Sequence, residues 1–403
     1  MTQTSQATGQ IPATTGTRWQ LARAAWAVTA VFALSNSPTP LYAYWQKRIG
    51  FSSGTLTVVF AAYIVGLVLA LLVAGRAADR CGRKRVVIPG IILALASAAL
   101  FLAASSVASL LLARFLTGLS IGIIVSAGMA AVVDLGGEHR RQASSTLVSI
   151  AMVFGAGLGP ILAGAIYQAT SAPVAWVFPA NIALLVLALL GYLTLPLDRP
   201  ARAPGGMLWP RLPAVPGQNR ADVASGIGVF APGLTATSFA LSLGPSLLVL
   251  VAGTTSPLLA GGAACLMFLA ATASQLALTR LRVQHLFAAG AASTVTAMLA
   301  VILTVATASP WLFVLAAVLA GCGQGLGQLG ALRLIAQHVP GARRAEANAA
   351  LNIGAYVPAA VLTVATGYTI TGIGMSAAAT SLAVLLGLIA LTAGTIAYRT
   401  ARR

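Results

Sequence analysis

Acidic residues are scarce in this chain. Asp and Glu together number six among 403 residues, and charged residues of either sign make up 7%. Soluble domains carry roughly 25%. A surface wetted all round is therefore excluded, and with it a soluble enzyme, a secreted domain and a disordered chain. The three cysteines (Cys81, Cys265, Cys322) are too scattered for a disulfide framework or a metal site. The three histidines (His139, His285, His338) fall in short polar segments. Lysine is confined to Lys47 and Lys84. Residues 1–17 lack a basic n-region and are expected to form a disordered tail rather than a signal peptide.

What fills the chain instead is apolar: 58% hydrophobic residues plus 41 glycines. Apolar runs lie at about 21–45, 54–74, 86–104, 108–134, 143–167 and 176–195, then at 223–249, 257–279, 286–307, 311–335, 347–370 and 375–398. Each is long enough to cross a bilayer at ~20 residues per span. A strand-built barrel is excluded because the runs do not alternate apolar and polar. The first run is broken by Asn36-Ser37-Pro38-Thr39-Pro40, where proline must kink a helix. The fold expected is an all-α membrane protein with 12 transmembrane helices in two six-helix bundles. The bundles cover 18–195 and 223–398, joined by a Pro- and Arg-rich cytoplasmic linker over 196–222 and followed by a short tail, 399–403.

The formal charge of +18 arises from 24 Lys and Arg. Taking the N-terminus as cytoplasmic, the outer loops hold only Lys47 and Arg48, and Arg114 lies within a span. The remaining basic residues fall on the cytoplasmic side, which places both termini inside. This charge sets topology, and nucleic acid is not an expected partner. The Arg, Ala, Gly and Pro load hints at a GC-rich bacterial genome; the expected location is the bacterial cytoplasmic (inner) membrane. A repeat supports two parallel halves: Leu71–Gly90 aligns with Ala271–Gly290 at an offset of 200, placing Arg80 on Arg280. Such halves imply a pseudo-two-fold axis along the membrane normal, with a site between them.

The loop after the second span reads Gly75-Arg76-Ala77-Ala78-Asp79-Arg80-Cys81-Gly82-Arg83-Lys84. Gly75 would let the helix end lie close to a neighbour, Asp79 offers a carboxylate to a helix N-terminus, and Gly82 permits a tight turn. Arg83 and Lys84 stay at the cytoplasmic face. The plain alternative is a basic loop that only fixes topology.

This segment resembles the loop signature of the major facilitator superfamily, matching at Gly75, Asp79, Arg80, Gly82, Arg83 and Lys84 and departing mildly at Ala77. The resemblance extends to the span count, the linker and the orientation. It implies a secondary transporter that works by alternating access, in which Asp79 docks on the start of the eleventh helix when the protein opens outward. It also implies that Arg83 pairs with Asp134. The second-half copy has Thr279 in place of the acid, so only one half can form this latch. Monomer is the family's default.

Arg114 would cost ~2.5–3.5 kcal/mol at the bilayer centre. The context Arg114-Phe-Leu-Thr-Gly118 is similar to the superfamily's fourth-helix motif, which implies an arginine facing the cavity and linked to proton coupling. The alternative is an arginine satisfied by backbone carbonyls. In the fifth span, Gly155, Gly159, Pro160 and Gly164 resemble the antiporter motif of drug/proton exporters, which implies efflux; the alternative is ordinary small-residue packing.

Gly325-Leu-Gly327-Gln-Leu-Gly330 fits a nucleotide-binding pattern, but no strand precedes it and it sits inside an apolar run, so no cofactor is expected. Gln324 and Gln328 share one helix face. With Asn36, Tyr42, Tyr63 and Tyr356 they are candidates for the substrate cavity; Asn181 and Gln275 are further polar groups at membrane depth. Packing by hydrogen bonds is the alternative for each.

The acids are Asp79, Asp134, Glu138, Asp198, Asp222 and Glu346, none of them within a span. A strong cation would find no counter-charge there. The expected function is therefore proton-coupled export of small hydrophobic or weakly acidic compounds, with an importer or facilitator of a small organic solute as the alternative. An intramembrane enzyme would need a nucleophile, metal site or acid pair at membrane depth, and none is present in the sequence.

Overall fold

The computed structural model describes residues 16–197, 215, 217–253, 256–340 and 343–402. The expected tail over 1–15 and most of the linker, 198–214, lie outside the described residues. The first half holds α1 (Arg18–Asn36), α2 (Ser53–Cys81), α3 (Arg83–Leu102), α4 (Val107–Gly136), α5 (Arg141–Ala169) and α6 (Val174–Leu193). The second half holds α7 (Arg220–Ser242), α8 (Pro257–Ala277), α9 (Val283–Thr307), α10 (Pro310–His338), α11 (344–373) and α12 (375–400).

Ten helical stretches among the described residues are long and apolar enough to cross a membrane. The last of these contains both α11 and α12, which part at Gly374, where φ is 81°. With α1 the spans number twelve. Local chemistry sets their limits. Thr17 caps α1 in a reciprocal box with Gln20, and Ser106 does the same for α4 with Ser109. Gly82, at φ 92°, makes the turn between α2 and α3.

Two boundaries differ from expectation. Gly16 and Thr17 are anchored rather than part of a loose tail: the Gly16 amide donates to the Leu135 carbonyl at 2.8 Å, and Thr17 is the helix cap. The linker ends before residue 222, because α7 begins at Arg220. Asp222 lies in its first turn and meets His338 Nδ1 at 3.2 Å, tying α7 to the end of α10.

The first span of each half is broken. After α1 the chain continues as three short pieces, Thr39–Leu41, Tyr42–Trp45 and Gln46–Gly50, as Pro38 and Pro40 require. After α7 it continues as Gly244–Ala252, with Pro245 at the restart. The helix pairings repeat as well. In the first half α1 packs on α5, α2 on α4, and α3 on α4 and α6; in the second, α7 packs on α11, α8 on α10, and α9 on α10 and α12. The halves meet through α2 against α11 and α5 against α8, a pair that the pseudo-two-fold exchanges.

These cross-half contacts lie toward one end. Tyr368 of α11 covers Gly54 of α2, Gly164 of α5 faces Pro257 of α8, and Ser246 donates to the Gln46 side chain at 3.2 Å. At the other end lie the first turn of α1, the Arg76–Arg85 loop and Arg399; this is called the basic end below. The same closed end is filled within the first half by stacked rings. Trp45 lies 5.7 Å from Phe101 and 5.9 Å from Phe178, centroid to centroid.

Candidate transport cavity

A cavity of about 370 Å³ lies between the halves, with walls from α1, α2, α4 and α5 on one side and α7, α8, α10 and α11 on the other. It runs from Arg114 and Tyr63 to Leu71, Leu332 and Asn348 at the basic end. Most of its lining is apolar. A wide helical turn at Ile124–Gly128 carries one wall residue, Val125; such π-turns interrupt helices at functional sites.

Arg114 occupies the blind end and is 1% exposed. Its Nη1 donates to the Ser35 carbonyl at 2.7 Å and its Nη2 to the Tyr42 hydroxyl. The guanidinium carbon sits 5.2 Å from the Tyr42 ring centre, 5.6 Å from Phe60 and 6.0 Å from Tyr63 and Phe101. Desolvated contacts of this kind are worth ~2 kcal/mol, and with the two hydrogen bonds they act against the cost of burying the charge. Nε has no hydrogen-bond partner among the described residues. Among the described residues no Asp or Glu lines the cavity.

Of the candidate cavity residues, Asn36, Tyr63, Gln324, Gln328 and Tyr356 line it, as does Gln275, whose Nε2 donates to the Gly325 carbonyl at 3.0 Å. Tyr42 does not: it is fully buried behind the wall and holds Arg114 in place. Asn181 is also remote, bonded to Ser37 and to the Val177 carbonyl. Asn348 and Asn352, not anticipated from the sequence, add two carboxamides from α11. They fall at the polar start of a run, where side chains read as loop margin.

The glycines at the candidate positions are sites of close approach. A Cβ on Gly118 would strike the Tyr63 carbonyl, so Gly118 sets how near α4 comes to α2. Gly155 and Gly159 abut the Thr29 and Ala33 carbonyls of α1, where the Thr29 hydroxyl donates to the Ala151 carbonyl at 3.0 Å. Pro160 and Gly164 face Gly261 and Pro257 of α8. The glycine pattern of α10 is packing too: Gly325 abuts Ala271 of α8, Gly327 abuts Phe230 of α7, and Gly330 abuts Phe287 of α9.

At the loop after α2, Arg83 Nε donates to Asp134 Oδ2 at 3.0 Å, and Arg83 Nη1 lies 3.3 Å from Asp79 Oδ1. Lys84 Nζ donates to the Leu193 and Leu195 carbonyls at 2.6 and 2.9 Å, capping the end of α6. Arg80 also has interaction partners. Gly75 departs from expectation: among the described residues a Cβ there would meet nothing within 4 Å, so it is not a site of close helix contact in this conformation. The cavity lining reaches toward this end through Leu71, Leu332 and Asn348. In the second half the matching clasp has other chemistry. Arg333, near the end of α10, donates to the Thr279 and Leu281 carbonyls at 2.6 and 3.1 Å.

Two pseudo-symmetric six-helix bundles around one cavity define a membrane transporter scaffold. A profile of the Major Facilitator Superfamily matches residues 24–282, and the chain belongs to that superfamily. Over 98 residues it is 35% identical to multidrug resistance protein MdtL of Escherichia coli, a match covering 24% of this chain and 25% of that relative. The chain thus spans about a quarter of the length of the curated relatives it matches. Among solved structures, the peptide transporter POT in complex with sulfate has a TM-score of 0.75 at 16% identity, covering 95% of this chain and 94% of that one. The nucleoside transporter NupG has a TM-score of 0.70 at 12% identity, covering 95% and 100%. These two likenesses bear on the fold.

Proposed function

We propose that this protein exports small hydrophobic or weakly acidic compounds from the bacterial cytoplasm in exchange for protons, by alternating access of its two halves. The observation that carries the substrate class is the cavity itself: one buried arginine, neutral carboxamides, apolar walls and, among the described residues, no carboxylate. A monoanion with an apolar body fits that field. A cation would face Arg114 with nothing to balance it, which costs several kcal/mol in a low-dielectric site.

Export is supported by the close glycine contacts of α5 with α1 and α8, and by the partial match to a protein named for multidrug resistance. By charge distribution the basic end is cytoplasmic, so this conformation is open inward. In the outward-open form Asp79 would leave the solvent and meet the start of α11; here its side chain is 61% exposed. The chain is proposed to act as a monomer.

The absence of a cavity carboxylate favours one rival, a facilitator that moves the same solutes without protons. Purified protein in liposomes with an imposed pH gradient separates the two. Exporter behaviour is substrate-triggered proton movement, lost in Arg114→Ala. Labelled-solute flux with no proton movement would replace the antiporter with the facilitator.

A further inference from the structure

A second opening lies outside the central cavity. A groove of about 500 Å³ runs between α9 and α12 on the outer face of the second half. Ala288, Ala291, Ala292 and Gly394 form its floor, and Tyr398 and Arg399 stand at its mouth at the basic end. From Arg399 to Leu391 the α12 wall runs eight residues, ~12 Å at ~1.5 Å per residue. That is close to the depth of one leaflet, half of a ~30 Å hydrocarbon core.

The first half carries a strap at the corresponding place. Lys84 reaches from α3 to the Leu193 and Leu195 carbonyls and straps α3 to the end of α6. At the 200-residue offset its counterpart is Gln284, whose side chain turns to His285 at 3.5 Å instead. In addition, α6 stops at Leu193, whereas α12 continues to Thr400 and carries the wall past the missing strap. The mouth is cationic. Arg399 is exposed and makes no ion pair among the described residues, and exposed Arg282 and Arg402 lie at the same end.

We propose that this groove holds one acyl chain of an anionic phospholipid from the adjacent leaflet, with its phosphate at Arg399 and the Tyr398 hydroxyl. The apolar floor fits a hydrocarbon chain. A guanidinium recognises phosphate through paired N–H donors, and tyrosine belongs at headgroup depth. The uncompensated cations select an anionic headgroup over a zwitterionic one. The inference needs only the membrane-spanning fold and not the direction of transport.

Native mass spectrometry of the delipidated full-length protein tests it, with phosphatidylglycerol and phosphatidylcholine of identical chains added back. The expected result is phosphatidylglycerol retained about fivefold better, as one arginine at a membrane surface implies. Arg399→Gln should bring it down to the phosphatidylcholine level. Thr395→Trp, which fills the groove, should remove both lipids, and Arg220→Gln, elsewhere at the basic end, should change neither. Equal retention of the two lipids by the unaltered protein would overturn the proposal. So would phosphatidylglycerol retention unchanged in Arg399→Gln, whose exposed side chain leaves folding intact even if Thr395→Trp does not fold.

Discussion

Ser246 donates a hydrogen bond to Gln46 at 3.2 Å across the closed end of the molecule, and the two residues are 200 apart in the chain, the offset that superposes the two halves. Pseudo-equivalent residues that touch lie at the pseudo-two-fold axis. This contact must break for that end to open. Gln46→Cys with Ser246→Cys, in a background of Cys81→Ser, Cys265→Ser and Cys322→Ser, should be joined by a short bis-methanethiosulfonate, each cysteine thiolate displacing a sulfinate to form a disulfide that a reductant cleaves. Cross-linking should abolish turnover, and cleaving the linker should restore it, read as solute flux in liposomes.

Arg114 serves two acceptors at fixed positions, the Ser35 carbonyl and the Tyr42 hydroxyl. Lysine, a compact ammonium, cannot reproduce that fork. Arg114→Lys is expected to lower transport of acidic solutes at least tenfold while the protein still folds. Tyr42→Phe removes one acceptor from a buried charge and should lower stability by ~1–3 kcal/mol, with a smaller effect on transport. Thermal unfolding and flux on the same preparations check both.

Gly159 and Gly75 make opposite predictions. A Cβ at Gly159 collides with the Ala33 carbonyl, whereas at Gly75 it meets open space. Gly159→Ala should lower stability by ~1–3 kcal/mol through overpacking. Gly75→Ala should leave it unchanged or slightly raise it, since alanine favours helix. Any transport defect in Gly75→Ala would then report a closed form in which a helix comes near. Parallel melting curves and flux assays distinguish the two.

The Arg83–Asp134 pair is well formed at 3.0 Å, but its side chains are 26% and 55% exposed. Exposed pairs contribute ~0–1 kcal/mol. Asp134→Asn is therefore expected to shift the melting temperature very little. Its effect should appear in the balance between inward- and outward-open forms, measured as the reactivity of a single cysteine introduced at Asn352 on the cavity wall.

Much of the fold was legible because a bilayer leaves little choice: apolar runs of sufficient length become helices, and each observed span overlaps an expected one. The break after Asn36 was legible from its prolines. The break at Leu243 was not, because a single Gly-Pro pair inside an apolar run also fits a kinked continuous helix. Arg114 announced itself as the lone charge in a span. Tyr42 reads as a cavity residue from sequence because sequence shows polarity at depth, not which side of a wall a ring occupies. Asn348 and Asn352 carry no such signal: they lie in the first turns of the 347–370 run, where a polar residue at the membrane margin does not show whether it faces a cavity. The close neighbour expected at Gly75 depends on conformation, and a sequence carries no record of which conformation is populated.

The contact of α5 with α8 has a mechanical meaning. Pro160 meets Gly261, and Gly164 meets Pro257, largely backbone against backbone. Side chains that interlock must leave their rotamers when two surfaces turn past one another, and each departure adds to the barrier. Bare backbone surfaces carry no such teeth. This seam is a bearing rather than a clasp: it can hold the halves together while they rock, leaving the barrier to motion at polar contacts such as Ser246 with Gln46 at the closed end.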